Sequence, residues 1–555
     1  MPDLSHYGGR WVGLAEDKSV VAVAESSAEV RRMASSVRPK GHVSPVWISP
    51  HPPHIALPAW PLELLRDLLP AEGIWLAGGA VRDLLMDRAP RDWDFVAARG
   101  SLSLARSVAD ALGGAYYPLD VTRGTGRALV SSPGTGEPVT LDFADLRGPD
   151  IESDLAVRDF TVNAMALTLD GRLVDPLGGQ RDLAVHRLRM TGDRCFRDDP
   201  ARLLRAVRLA TERGFEIEPA TLARVSAHGE LITTIAAERV HAELVKIMAL
   251  PKAPEGLECL RSLGLLAYVV PEAGRLAAAG ALDLAKPREW ELVLATLAAL
   301  IDIVSVLSGS ALPHERHRSA LPRHRWAALV DHFSAFQTRL LTYLSEPLSA
   351  ELTRCDLLKW AALLSRSCAA ILTQAAAPPS RAETAGCAES RMFELRFSRS
   401  AIDFVATVVR EAGAFGQFSA EVLRTQSDED SPFVRRAVYR YFRASGDAGI
   451  GIVLLALART IALWRAHPGD GTTKWQARWT RQVAATQVLL RSYFDRHSEV
   501  IDPGLLITGR DVMALGISRG PAVGRVLEKV REAQAVGEVR SREDALDLVR
   551  SCGTV

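Results

Sequence analysis

Two aspartates two residues apart, Asp92 and Asp94 in RDWDFV, carry the sharpest chemical signal in the chain. Side chains alternate along a strand, so both carboxylates fall on one face while Trp93 and Phe95 point to the other. Such a ledge suits Mg²⁺, which takes one or two protein carboxylates and completes its shell with water and substrate phosphate. Taken alone, the same tripeptide also fits a solvated edge strand. Asp142, between Leu141 and Phe143 in VTLDFADL, sits in the same alternating setting and is the expected third ligand. Asp145 falls on the opposite face by parity. Upstream, GIWLAGGAVRDLL reads as strand, glycine pair and helix start. Gly78 and Gly79 there let backbone approach a phosphate, and Arg82 places a cation in the first turn.

A second polar array follows. Asp199, Arg202, Arg205 and Arg208 are spaced by three, a slanted stripe on a helix whose other sides carry Leu203, Leu204 and Val207. Between 187 and 213, eight Arg against four acidic residues give a local +4 that a whole-chain charge of +1 hides. A solvated helix is the plain alternative. Any attraction for polyanions is therefore local rather than global.

These residues need elements to hold them. Length and composition, 555 residues with 48% hydrophobic and 24% charged, imply several folded domains and exclude a disordered or collagen-like chain. Residues 1–55 read as a small α+β unit, with GRWVGLAED and KSVVAVAE as paired strands, SSAEVRRMASSV a helix and SPVWIS a last strand. Trp11, Trp47 and Trp60 are expected as packing residues. Between 60 and 185, GIWLAGG, DWDFVAA and VTLDFADL alternate with helical stretches, as in a mixed α/β domain. After 195 the pattern is helical, with 375–390 and 413–432 as expected loop breaks. The six scattered cysteines suggest neither zinc site nor disulfide framework. No leader is visible, and charge or proline interrupts each apolar run, so a cytoplasmic protein outside the membrane is expected.

Strand, GG, helix, D-x-D and a later lone aspartate form the pattern of the DNA polymerase beta-like nucleotidyltransferases. The stretch 74–250 resembles the bacterial class II tRNA nucleotidyltransferase and poly(A) polymerase family, which includes the CCA-adding enzymes. The resemblance runs through LAGGAVRDLL with RDWDFV, DLAVRDFTVNAMAL, DPLGGQRDL, RDDPARLLRAVRLA and ERVHAELVKIM, in that order. It implies an α/β polymerase-beta-like head (60–185), then a mostly α-helical neck (186–255), body (256–500) and tail (501–555). It also implies nucleotide contacts at Gly78, Gly79, Arg82, Asp83, Arg158, Asp159 and Asn163. Asp199 and Arg202 would read the base edge, the aspartate accepting from an exocyclic amine and the arginine donating to ring nitrogen or carbonyl. Arg205 and Arg208 would hold phosphate or the helix itself. Two Mg²⁺ on Asp92, Asp94 and Asp142, with CTP and ATP as donors and the tRNA 3′ end as acceptor, complete the expectation.

The departures from the family are informative. Only Gly148 to Ser153 separate LDFADLR from Asp154, where CCA-adding relatives usually carry a longer loop that helps switch from C to A addition. This points toward CC addition, with full CCA addition still open. Val157 replaces the first of two paired arginines, and Asp198 stands where glutamate is frequent. The body resembles an HD domain whose ligand positions read Ser365, Arg366 and Arg459, so no phosphohydrolase is expected. The segment from LLITGRDV to SREDAL resembles the family's tRNA-contacting tail, where Arg510, Arg519, Arg525 and Lys529 would meet phosphates. A poly(A) polymerase on other RNAs, or a non-catalytic RNA-binding descendant, are the competing readings.

Overall fold

The computed structural model describes residues 7–15, 19–37, 43–48, 59–70, 72–90, 92–132, 136–279, 289–309, 329–349, 352–372, 379–424, 428–466 and 472–552. They form two compact units, Met1–Thr234 and Ile235–Val555. The division falls inside the stretch expected as a single helical neck.

The first unit opens with the small α+β motif anticipated from sequence. Strands β1 (Trp11–Ala15), β2 (Val20–Ala24) and β3 (Val43–Trp47) pair antiparallel in the order β2-β1-β3, with α1 (Ser27–Val37) across them. Val30 and Ala34 of α1 pack with Ala22 and Ala24, and Trp11 and Val43 close the cluster. Trp11 is thus a packing residue; the side chain of Trp47 lies outside the described residues.

After α2 (Ala59–Arg66) come β4 (Ile74–Ala77), α3 (Gly79–Leu85), β5 (Asp92–Ala97) and α4 (Ser101–Ala111). Then follow β6 (Ala115–Asp120), β7 (Thr125–Ser131), β8 (Pro138–Asp145), α5 (Ile151–Ala156), β9 (Ala166–Thr168) and β10 (Leu173–Val174). Seven of these strands form one sheet in the order β10-β9-β4-β5-β8-β7-β6. Within it only β5 and β8 run parallel, in a register that sets Asp94 beside Asp142 and Phe95 beside Phe143. The two phenylalanines stack at 4.9 Å on the buried face, which obliges both aspartates to share the other. Past α6 (Gly179–Ala184), β11 (Arg187–Leu188) and α7 (Cys195–Asp198), the unit continues into α8 (Ala201–Arg213) and β12 (Glu216–Ile217). A parallel β11–β12 pair flanks that helix.

The second unit is helical. Two expected loops are corrected here: Arg381–Glu394 is a helix started by a capping box at Ser380 and Glu383, and Ala414–Arg424 is also a helix. Proline and small polar residues mark the approaches to these helices, not their interiors. Two stretches, Glu289–Leu307 and Pro432–Ala466, are long and apolar enough to cross a membrane, although charge was expected to interrupt every such run. Most of each apolar window is buried inside the protein, 56% and 72% respectively, as in core helices. Asp302 on the first helix and Arg465 on the second join them through a 2.9 Å ion pair. The tail, Gly509–Ala514, Pro521–Ala535 and Arg542–Cys552, has its own apolar cluster around Val512, Val530 and Val549. It docks on Pro432–Ser445 through Arg436–Glu538, Arg440–Glu532 and Tyr439–Glu528.

Only 15% of each partner in the Asp302–Arg465 pair is exposed, so removing one leaves the other charge poorly solvated. Asp302→Asn should cost about 2 kcal/mol of stability, read as a lower denaturant midpoint for the second unit. Replacing both partners with Leu and Met should recover most of that loss.

Candidate active site

Strand β5 presents Asp92 exposed and Asp94 half-buried, with Trp93 and Phe95 buried behind them. Val96 continues the aspartate face into a small apolar cluster with Ile151, Leu155 and Ala164. Asp94 therefore borders dry packing. Burial pushes its carboxyl up to about 6; Arg158 opposes the shift, while Asp142 and Asp92 add to it. Crowded carboxylates with one ionised state disfavoured are an environment a divalent cation relieves. Asp142 is differently placed: both its oxygens accept from Arg127, at 2.7 and 2.8 Å, across the β7–β8 register. Among the described residues no group of three His, Cys, Asp or Glu side chains stands ready to hold a metal ion. Asp92 and Asp94 fit the one or two carboxylates Mg²⁺ requires; Asp142 joins them only by exchanging Arg127.

The glycine turn works through space. Gly78 has φ +74 and gives its N–H to the Met165 carbonyl, and a Cβ there would lie 2.9 Å from Arg158 Nη1 and 3.4 Å from Asp94 Oδ2. Arg158 and Asp94 are thus both drawn against bare backbone. Gly79 begins α3, which carries Arg82 and Asp83. Arg82 is buried rather than projecting: Nε donates to Asp83 at 2.9 Å and Nη1 to Asn163 Oδ1 at 2.6 Å.

From there the contacts form a circuit. Asn163 Nδ2 donates to Asp159 Oδ1, and Arg205 of α8 donates to Asp159 Oδ2 at 3.2 Å. Burial works to raise the Asp159 carboxyl, but Arg205, Asn163 and the Phe160 N–H outweigh it and hold it below its usual range. On the other side Asp83 accepts from Arg213 at 3.3 Å, Arg213 meets Glu212, and Glu212 accepts from Arg208. The site thus joins α3, the 159–163 turn and α8.

The expected stripe of four is corrected in one respect: α8 starts at Ala201, and Asp199 precedes it on extended backbone. The short helix before it ends at Asp198, and Pro200 separates Asp199 from α8. Arg202 is buried and spends three N–H bonds on main-chain carbonyls, of Val157, Arg158 and Cys195, with Asp199 3.8 Å from its Nε. Two of its five donors remain. Sequence reading missed Arg127, Asp154, Glu212 and Arg213. An i,i+4 spacing signals both Asp154, which accepts from Arg158 Nε at 3.0 Å, and Glu212, which accepts from Arg208; Arg127 and Arg213 act across elements with no local signature. In the second unit Glu238, from the fifth motif, pairs with Arg396. Arg510, Arg519, Arg525 and Lys529 lie on the tail.

Gly100 has φ +80 with nothing within 4 Å of the place a Cβ would occupy, so Gly100→Ala measures backbone strain alone. Its expected cost is about 1 kcal/mol. Gly78→Ala adds the collision with Arg158 and should cost roughly 1–2 kcal/mol more in thermal or denaturant unfolding.

Comparison with known proteins identifies the family of the stretch that carries the glycine turn and the aspartates. Residues 74–189 match the poly A polymerase head domain, and 214–276 match the probable RNA and SrmB-binding site of polymerase A. A CC-adding tRNA nucleotidyltransferase of Geobacter sulfurreducens is 31% identical over 475 residues, covering 85% of this chain and 90% of the relative. An A-adding tRNA nucleotidyltransferase of Deinococcus radiodurans is 42% identical over 205 residues, 36% of this chain and 45% of that one. The solved CCA-adding enzyme of Bacillus stearothermophilus in complex with CTP shares the fold, with a TM-score of 0.53 at 19% identity over 89% of this chain and 96% of that chain. With its glycine turn, paired aspartates and arginine-bearing helix in one unit, and a relative matched along nearly its whole length, the chain belongs to the bacterial class II tRNA nucleotidyltransferase family.

Proposed function

We propose that the chain is a CC-adding enzyme that transfers two CMP units from CTP to the 3′ end of tRNA in the bacterial cytoplasm. The observation that carries the CC reading is the connection between β8 and α5, only Leu146 to Asp150. It leaves no room for the longer loop that the family resemblance associates with switching to A. The Geobacter relative, similar across both units, is itself named CC-adding. The 42% identity of the Deinococcus A-adding enzyme over 205 residues keeps A addition as the second reading.

In the proposed reaction the terminal ribose 3′-oxygen bonds to the α-phosphorus of CTP, pyrophosphate leaves with the bonding pair, and the hydroxyl proton passes to solvent. Divalent ions, two Mg²⁺ by resemblance, supply hydroxyl activation and charge neutralisation when bound to Asp92 and Asp94, with Asp142 as the third carboxylate. Gly78 and Gly79 admit the triphosphate close to backbone, and Arg158, beside Asp94, offers it a cation. Arg82, Asp83, Asn163 and Asp159 position that seat through the circuit on α8. Asp199 accepts from the cytosine exocyclic amine, and Arg202 offers its two unspent donors to the same base edge. Arg205 and Arg208 hold α8 and the phosphates. The tail residues Arg510, Arg519, Arg525 and Lys529 meet tRNA phosphates, making affinity salt-dependent.

The test is extension of tRNAs ending before CCA or after CC, offered CTP, ATP or both. The expected result is two C additions and no A, lost with EDTA and restored by Mg²⁺, with Asp94→Asn lowering the rate roughly a thousandfold. Addition of A to the CC-ended tRNA alone would establish the second reading. Completion of CCA would show that the short connection suffices, long A tails on any RNA would indicate a poly(A) polymerase, and no extension at all would leave an RNA-binding descendant.

A further inference from the structure

The register that aligns the aspartates continues past them. Directly opposed residues of paired strands share one face of a sheet, and here Ala77 opposes Asp94, Asp94 opposes Asp142, Asp142 opposes Arg127 and Arg127 opposes Tyr117. One row therefore crosses β4, β5, β8, β7 and β6, carrying an alanine, two carboxylates, a guanidinium and a phenol ring. Gly126, next to Arg127, belongs to the other face, where a Cβ would meet that of Ala105 on α4 at 3.1 Å. The outer half of the row is open: the Arg127 side chain is 40% exposed and Tyr117 is 49% exposed. Strand β6 ends the sheet, so the row runs from the catalytic carboxylates out to its edge. At about 4.8 Å per strand, the backbone of Arg127 lies roughly 10 Å from that of Asp94, and that of Tyr117 roughly 14 Å.

Arg127 is fixed from behind and unspent in front. Its Nε and one Nη2 N–H go to Asp142, which leaves three of its five donors for a second acceptor without any exchange at the carboxylate. The glycine turn that would admit the triphosphate follows β4, on the other side of Asp94 from Arg127. Attacking and leaving oxygens lie roughly in line across a transferring phosphoryl group, so pyrophosphate leaving toward β4 requires the acceptor 3′-oxygen to approach from the β8 side. The groups just behind that oxygen are then those of β7 and β6. We propose that this half of the row is the seat of the acceptor strand: Arg127 holds the last phosphodiester of the RNA 3′ end, and Tyr117 stacks on a base of that end. A guanidinium fork with a fixed orientation suits phosphate oxygens. An aromatic face takes any base, which suits an end whose last residue changes with each addition. The inference rests on the reading of the chain as a tRNA-extending enzyme and adds the residues that present the acceptor.

The test uses the full chain and acceptor-stem hairpins ending before CCA. RNA affinity is read by fluorescence anisotropy in EDTA, and the KM values for RNA and for CTP are read with Mg²⁺. Arg127→Met should weaken RNA affinity about tenfold, reduce its salt slope by about one and leave the KM for CTP within about twofold of wild type. Tyr117→Ala should raise the KM for RNA about tenfold, and Tyr117→Phe, which keeps the ring, should restore it. Replacing the last phosphodiester of the hairpin with an uncharged methylphosphonate should cost the wild type what Arg127→Met costs, and cost that variant nothing further. A purely structural role for Arg127 would not produce this match, and the modified RNA probes the wild-type protein whatever the variant does to folding. The proposal is overturned if the variants raise the KM for CTP and not that for RNA, if RNA affinity is unchanged, or if the methylphosphonate costs wild type and Arg127→Met equally. Failure of the wild type to extend any RNA would strike the enzymatic reading instead, and the affinities in EDTA would still decide the contact.

Discussion

The arrangement of the head hangs on the buried carboxylate of Asp159. It receives Asn163 on one oxygen and Arg205 on the other. A buried anion is costly unless its lone pairs are satisfied, so each of those donors is fixed by the need to satisfy it. Asn163 passes the constraint to Arg82 and the glycine turn; Arg205 passes it to α8. The return path through Asp83 and Arg213 closes the ring, so the glycine turn and α8 cannot shift independently.

The sheet supplies Asp92, Asp94 and Asp142, with Arg127 paired to the last, while α3, the 157–163 segment and α8 contribute Arg82, Arg158, Arg202 and Arg205. Asp94 sits at the boundary, held with its ionised form disfavoured by burial and by its acidic neighbours. Arg127 adds one element the reaction scheme has to accommodate. Its two-point contact with Asp142 keeps the third carboxylate paired within the sheet.

Much of this was legible in the sequence. Alternation in DWDFV and VTLDFADL put Asp92, Asp94 and Asp142 on one face, and parity placed Asp145 elsewhere, where it accepts from the Ser101 N–H. The three strands and helix of the N-terminal motif were equally clear, because their apolar periods are short and well punctuated. What escaped has a common physical cause. Arg127 and Arg213 act across elements, and no local spacing encodes which strands become neighbours. Arg202 looked like a projecting cation, yet its guanidinium turns inward to three main-chain carbonyls. The helices Arg381–Glu394 and Ala414–Arg424 were masked by the prolines and small polar residues near their ends, although the Ser380–Glu383 capping box was visible in the sequence.

The coupling between the glycine turn and α8 requires Asp159 and Arg205 to act as one unit. A double-mutant cycle on CMP addition, with Asp159→Asn, Arg205→Met and the pair, measures that directly. The expected result is strong non-additivity in kcat/KM for CTP: the double variant costs little more than the worse single, a coupling of roughly 1–3 kcal/mol. Simple additivity of the two losses would show that Arg205 serves the nucleotide without help from Asp159, and would contradict the account.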